Sequence, residues 1–334
     1  MSWKGDLLRA GIDSDGKNVN FFKGTLTVHG MPVVGSVFGD AWFVDYRNGD
    51  DTNNGKTRDK AFKTYTTAIA ACTSNNNDVI YLDGDSTLVE PALVTLSKSR
   101  IHTVGCNGPL GHYGAGAKVS VYRTSGATNI ATLLNTGTRN TFTGIKFLNS
   151  STVAEGLYCV AEGGEYSRYF GCEFYKSSDL DETAAAELLH NGDSAMFYNC
   201  TFGSLANIIA DNKIRPNVLL SRETITGKVC RDSYFENCLF FSKAGGTEHV
   251  AVYGSGATDV ERMLMLNGCT FINNPLSAAT PAHAVGFGAA QTEGAVFLKN
   301  CSSVDHTVMA QAAVGVYVDG AVPGFATSGV SVLS

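Results

Sequence analysis

The sequence predicts an all-β solenoid, a stack of short-strand rungs with one short helix at its N-terminal end. Three observations predict it. First, a six-residue phrase recurs through the second half: Phe142-Thr143-Gly144-Ile145-Lys146-Phe147, Tyr169-Phe170-Gly171-Cys172-Glu173-Phe174, Phe197-Tyr198-Asn199-Cys200-Thr201-Phe202, Phe235-Glu236-Asn237-Cys238-Leu239-Phe240 and Leu266-Asn267-Gly268-Cys269-Thr270-Phe271. It fades at Leu298-Lys299-Asn300-Cys301, and its small apolar member advances by 27, 28, 38, 31 and 32 residues from 145 to 301. That spacing marks stacked repeat units. Second, the residue before the small member is always Gly or Asn, the types that enter left-handed backbone most readily. Third, 17% charged residues and 37 glycines fit a β-rich stack with many tight turns.

The phrase therefore reads as two short strands joined by a sharp bend. Side chains alternate along a strand, so Cys172 with Phe174, Cys200 with Phe202, Cys238 with Phe240 and Cys269 with Phe271 are expected to face inward. Glu173, Thr201, Leu239 and Thr270 are expected to face out. Nine cysteines without a Cys-x-x-Cys pair read as free buried thiols acting as small hydrophobes, made in a reducing cytosol.

Residues 1–40 form a separate arm. Trp3, Leu7, Leu8, Phe21 and Phe22 are apolar but follow no period, and seven glycines interrupt every helix. The arm either packs along the stack or docks on another component. Trp42-Phe43-Val44-Asp45 reads as a strand, and the Asn/Asp/Gly run 48–55 as a turn rather than a calcium loop, because no bidentate Glu follows at the required distance. Phe62, Tyr65, Ile69 and Cys72 share one helical face, with Thr64 as N-cap, which predicts a capping helix near 64–73. Asp78-Val79-Ile80-Tyr81-Leu82 follows as a strand. Further strands are predicted at 93–96, 101–104, 119–122 and 130–134. Stretches 177–194 and 203–230 read as excursions from the stack, with 184–189 as a turn of surface helix. A last strand is predicted at 314–319. The organisation expected is an arm over 1–40, the stack over 41–305 and a C-terminal cap or tail over 306–334.

The strand at Trp42–Asp45, the polar turn, Lys60-Ala61-Phe62-Lys63-Thr64, Ala68-Ile69 and Asp78–Leu82 together resemble the opening segment of right-handed parallel β-helix proteins, the superfamily of pectate lyases and phage tailspikes. The usual pattern has Pro before the Phe where Ala61 stands here. The resemblance spans about 41–305 and implies a right-handed parallel β-helix of about eight to ten rungs. It specifies fold more than chemistry, since such folds host many activities.

Candidate chemistry is sparse. Glu187, His190 and Asp193 lie in one stretch, as do Asp259, Glu261 and Arg262, and paired carboxylates are what a glycosidase needs. Both groups read instead as ordinary surface charge, a solvated loop and outward charges on the stack. The Asp cluster that a lyase would use for calcium is not found on the rungs, and neither a cofactor nor a metal site is expected. A net charge of −6 offers nothing to nucleic acid or to an anionic membrane, and no apolar run approaches a membrane span or a signal-peptide core. The resemblance implies a non-enzymatic bacteriophage virion protein, a homotrimer decorating the capsid. Trp3, Leu7, Leu8, Phe21 and Phe22 would hold the major capsid protein or another virion component, after synthesis in the host cytoplasm. The alternative is a tailspike or receptor-binding protein, or a depolymerase or lyase acting on a cell-surface glycan.

Overall fold

One turn of the chain shows how the molecule is built. Tyr158–Glu162, Arg168–Phe170 and Glu173–Lys176 are three consecutive strands, and each pairs in parallel with the equivalent strand of the turns before and after it. Repetition of this unit yields three parallel sheets of eight, ten and seven strands that wrap one core. Parallel crossovers within a sheet are right-handed because strand twist admits only that hand, and the molecule is a right-handed parallel β-helix. The computed structural model describes residues 39–83, 90, 92–106, 118–123, 131–151, 157–177, 185–205, 209, 213–222, 228–274, 279–311 and 315–319, with the backbone of four short strands ahead of them.

The bend in the repeated phrase is the corner between the ten- and seven-stranded sheets. All six of its residues have positive φ: Gly144 65°, Gly171 56°, Asn199 51°, Asn237 52°, Gly268 63° and Asn300 52°. Left-handed backbone is disfavoured for most L-residues, which is why only Gly and Asn recur there.

Beyond the bend, alternation sends the small residue and the Phe inward. Phe147, Phe174, Phe202, Phe240 and Phe271 are in register on neighbouring strands, with successive ring centroids 5.6, 4.6, 5.0 and 4.7 Å apart. A second column, Phe142, Tyr169, Phe197 and Phe235, runs beside it at 4.6, 4.8 and 4.5 Å. Each ring buries a large apolar area, worth about 1.5–3 kcal/mol, and the stacked pairs add about 0.5–1.5 kcal/mol each. The cysteines form a third column. Each thiol reaches a carbonyl of the preceding rung: Cys172 to Phe142, Cys200 to Tyr169, Cys238 to Phe197, Cys269 to Phe235 and Cys301 to Leu266, at 3.3–3.5 Å.

The capping helix, α1, spans Tyr65–Ala71, with the Thr64 hydroxyl accepting from the Thr67 amide at 3.3 Å. Tyr65, Ala68 and Ile69 are buried beneath it. Two acids fix its ends. Buried Glu90 accepts from the Tyr65 amide, the Thr66 hydroxyl and the Tyr46 hydroxyl at 2.8–3.0 Å, placing a carboxylate at the helix N-terminus, where the dipole favours it. Asp78 accepts from the Thr73 amide, the Asp40 amide and the Asn76 side chain at 2.7–2.8 Å, tying the end of the helix to the first two strands.

Several expectations change. Residues 185–189 form no surface helix. Ala186–His190 is a fully buried strand of the eight-stranded sheet, and Val218–Leu220 inside the second supposed excursion is its next neighbour. The strand at 186–190 is buried on both faces, so its residues show no period of two and an Ala-rich run mimics a helix. Thr201 is buried rather than outward, while Glu173, Leu239 and Thr270 are partly exposed. The last strand, Val316–Asp319, extends the ten-stranded sheet past residue 305. In the arm, Ile12–Ser14 pairs antiparallel with Val19–Phe21 and Thr27–Val28 with Met31–Pro32. Trp3, Leu7, Leu8 and Phe22 lie outside the described residues, as does the side chain of Phe21, which ends its strand.

Candidate functional site

The corner between the eight- and ten-stranded sheets bends differently. Its left-handed positions are Arg100, Arg139, Tyr166, Ser194, Asp232 and Arg262, with φ of 57°, 61°, 57°, 54°, 46° and 72°. Successive rungs are linked there by the Arg100 amide to Thr138 O, the Arg139 amide to Glu165 O, the Tyr166 amide to Asp193 O and the Ser194 amide to Arg231 O, at 2.7–2.9 Å. A column of mostly large or polar side chains thus stands on a turn that bulky residues enter at an energetic cost.

Around the C-terminal part of this corner lies a groove of about 390 Å³ lined by Glu165, Asp193, Arg222, Lys228, Arg231 and Glu261. Its charges are cross-linked between rungs. Arg231 donates to Glu261 Oε1 at 2.6 Å through Nη2 and approaches Asp193 Oδ2 at 3.4 Å through Nη1. Lys228 pairs with Glu165 at 2.9 Å, Arg222 with Glu293 at 2.6 Å, and Arg262 with Asp232. The hydrogen bond to Glu261 raises the Arg231 pKa further. Exposed pairs are worth about 0–1 kcal/mol each, so the lattice chiefly fixes side-chain positions.

The two acid groups singled out in the sequence are redistributed. Glu187 is buried, with Asn217 Nδ2 donating to it at 3.2 Å, and burial raises its carboxyl pKa to about 7. His190 points into the core against the edges of Phe197 and Phe235, and burial lowers it to about 3. Asp259 is also buried and organises a turn, accepting from the amides of Gly256 at 2.6 Å and Arg222 at 3.0 Å. Asp193 and Glu261, one from each group, meet in the groove with Arg231 between them. Sequence reading missed the corner column because Arg and Tyr do not advertise a left-handed turn. The signal was present in the spacing: 139, 166, 194 and 232 each stand six residues before the small apolar member of the next phrase. Arg262 stands seven before, because the register shifts between Arg231 and Ser233.

Other buried acids serve the fold. Glu162 accepts from Asn135 Nδ2 at 2.7 Å, from the Gly164 amide at 2.6 Å and from the Tyr169 hydroxyl, joining two sheets from inside. Among the described residues no group of three or more His, Cys, Asp or Glu could hold a metal ion. No helix there is long and apolar enough to cross a membrane.

The fold that these features define is the right-handed parallel β-helix. A pectin methylesterase from Aspergillus niger superposes with a TM-score of 0.57 at 12% identity, over 88% of this chain and 86% of that one. A pectin methylesterase variant in complex with a hexasaccharide superposes with a TM-score of 0.50 at 14% identity, over 89% and 92%. At these identities the likeness concerns the fold. No protein-family model matches the chain, and no curated protein matches it.

Proposed function

We propose that the protein is a non-enzymatic structural component of a bacteriophage virion, a homotrimer that decorates the capsid surface and attaches through residues 1–40. The observation that carries the non-enzymatic part is the commitment of the groove acids. Glu165, Asp193 and Glu261 each bind a cation from another rung, whereas a general acid or nucleophile works from a carboxyl free to exchange protons or attack. A second feature supports association. On the outer face of the ten-stranded sheet, Met196, Tyr234, Met265, Phe297 and Tyr317 follow one another in register. All are partly or fully exposed. A continuous apolar stripe of this kind suits burial between subunits around a symmetry axis.

The competing reading is a polysaccharide-cleaving enzyme, favoured by the meeting of Asp193 and Glu261 in one groove. The test is release of reducing ends or unsaturated products from polysaccharides of the host surface, with wild type and with Asp193→Ala and Glu261→Ala. The structural reading expects no release by any of the three proteins. Release by wild type that either substitution abolishes would establish the enzyme instead.

A further inference from the structure

The outer face of the ten-stranded sheet changes character along its length. Its first six strands, from Ala41–Asp45 to Met196–Tyr198, carry a mainly apolar column in register: Phe43, Tyr81, Val104, Thr143, Phe170 and Tyr198. All six are partly exposed. Phe43 and Tyr81 stack at 5.3 Å and line a notch of about 160 Å³ together with Cys106, the one exposed cysteine. A basic edge runs beside this column. Arg168 stands two residues before Phe170 on one strand, so both point outward. With Arg100 and Arg139 it lines a groove of about 460 Å³ that no carboxylate enters. Among the described residues none of these three arginines takes part in an ion pair. Arg139 instead lies over the exposed Tyr166 ring, 5.6 Å from its centroid. Further along the same corner Arg231 and Arg262 each meet an acid.

We propose that this face docks an acidic amphipathic helix of a partner protein, its apolar side on the aromatic column and its carboxylates on the three arginines. Charge complementarity selects the acids. The chain carries a net charge of −6, yet this edge is positive, and the guanidinium fork matches a carboxylate in two parallel hydrogen bonds. The apolar column selects against a bare polyanion, which would cover the arginines and leave the aromatic rings in water. The dimensions select a helix. Six strands span roughly 24 Å at ~4.8 Å per step, the length of about 16 helical residues. Helical residues three or four apart lie about 5–6 Å from one another, so apolar and acidic side chains both keep pace with successive rungs. Such a contact is the helix-in-groove mode of recognition. The inference stands on these residues and does not depend on the virion role.

The experiment is calorimetric titration of the full-length protein with capped peptides of about 16 residues. One is a helix with leucines on one face and glutamates flanking them. The second is the same helix with glutamine for glutamate, and the third is oligoglutamate; a short single-stranded DNA is the fourth probe. The wild type should bind the leucine–glutamate helix, more weakly as salt rises, and the other three at least about tenfold less tightly. Arg139→Gln combined with Arg168→Gln should weaken that helix at least about tenfold, the loss expected for charge-assisted hydrogen bonds. Tyr81→Ser combined with Phe170→Ser should also weaken it, and Arg262→Gln, whose partner is Asp232, should leave it unchanged. Thiol labelling of Cys106 in the wild type gives a readout free of any folding defect, and the bound helix should slow it. The proposal is overturned by equal binding of the glutamine helix, the oligoglutamate or the DNA, by either double variant binding as the wild type does, or by no binding and no slowing of Cys106.

Discussion

At the scale of single residues, the core holds groups whose charge state burial has fixed. Neither ring nitrogen of His190 has a hydrogen-bond partner among the described residues, and burial lowers it to about 3; burial likewise lowers His249 to about 3 and His306 to about 4. A histidine whose folded pKa lies below its unfolded value of about 6.5 binds its proton first in the unfolded chain. Stability is therefore fully present above pH ~6.5 and falls as pH drops from there toward the folded values. His190 lies in register with Leu220 on the next strand, so His190→Leu continues an apolar ladder. It should stabilise the protein by about 1–3 kcal/mol at pH 7 by removing unsatisfied nitrogens, with a gain about 2 kcal/mol larger at pH 5. Urea unfolding at the two pH values measures both, and an equal gain at each would contradict the neutral, buried assignment. The thiols make a parallel case. Eight of nine cysteines are buried and only Cys106 is exposed. Burial raises Cys72, Cys159 and Cys230 to about 12 and also lifts Cys172 and Cys238. Native labelling should modify one thiol quickly and denatured labelling all nine; rapid native modification of three or more would mean that the column does not line a closed core.

At the scale of elements, the stack rests on ladders rather than on any one strand. Phe202 is fully buried between Phe174 at 4.6 Å and Phe240 at 5.0 Å. Phe202→Ala should cost about 3–5 kcal/mol, while Phe297→Ala, on the outer face, should cost clearly less. The denaturant midpoints of the two variants check this, and equal losses would contradict the inside–outside assignment. The phrase that places Phe202 was legible in the sequence because its corner accepts only residues tolerant of positive φ and its strands alternate. Helix α1 was legible because Phe62, Tyr65, Ile69 and Cys72 repeat on one face and Thr64 caps it. The eight-stranded sheet was legible at its first strands, expected at 93–96 and 130–134 and found at Val94–Leu96 and Ala131–Asn135, but not further along. At 186–190 both faces are buried, and Glu187 and His190 sit inside, so the pattern reads as polar surface although the strand is core. The corner column was hidden for a different reason: its left-handed turns are made by Arg, Tyr, Ser and Asp, of which only Asp enters that backbone at all readily.

At the scale of the whole molecule, the β-helix presents outer faces that differ. One corner carries an inter-rung ion-pair lattice, and the ten-stranded sheet carries the apolar stripe from Met196 to Tyr317. In the proposed trimer, a stripe buried between subunits and an arm attached to a larger particle would divide the work of assembly between two parts of the chain. Linking three arms through one trimer would multiply weak attachments into a firm one. The most direct measurement compares the full-length protein with the chain begun at Asp40, by sedimentation and by co-sedimentation with phage particles lacking the protein. The account predicts trimers for both and particle binding for the full-length protein alone. Monomers in both cases, or particle binding that survives removal of residues 1–39, would contradict it.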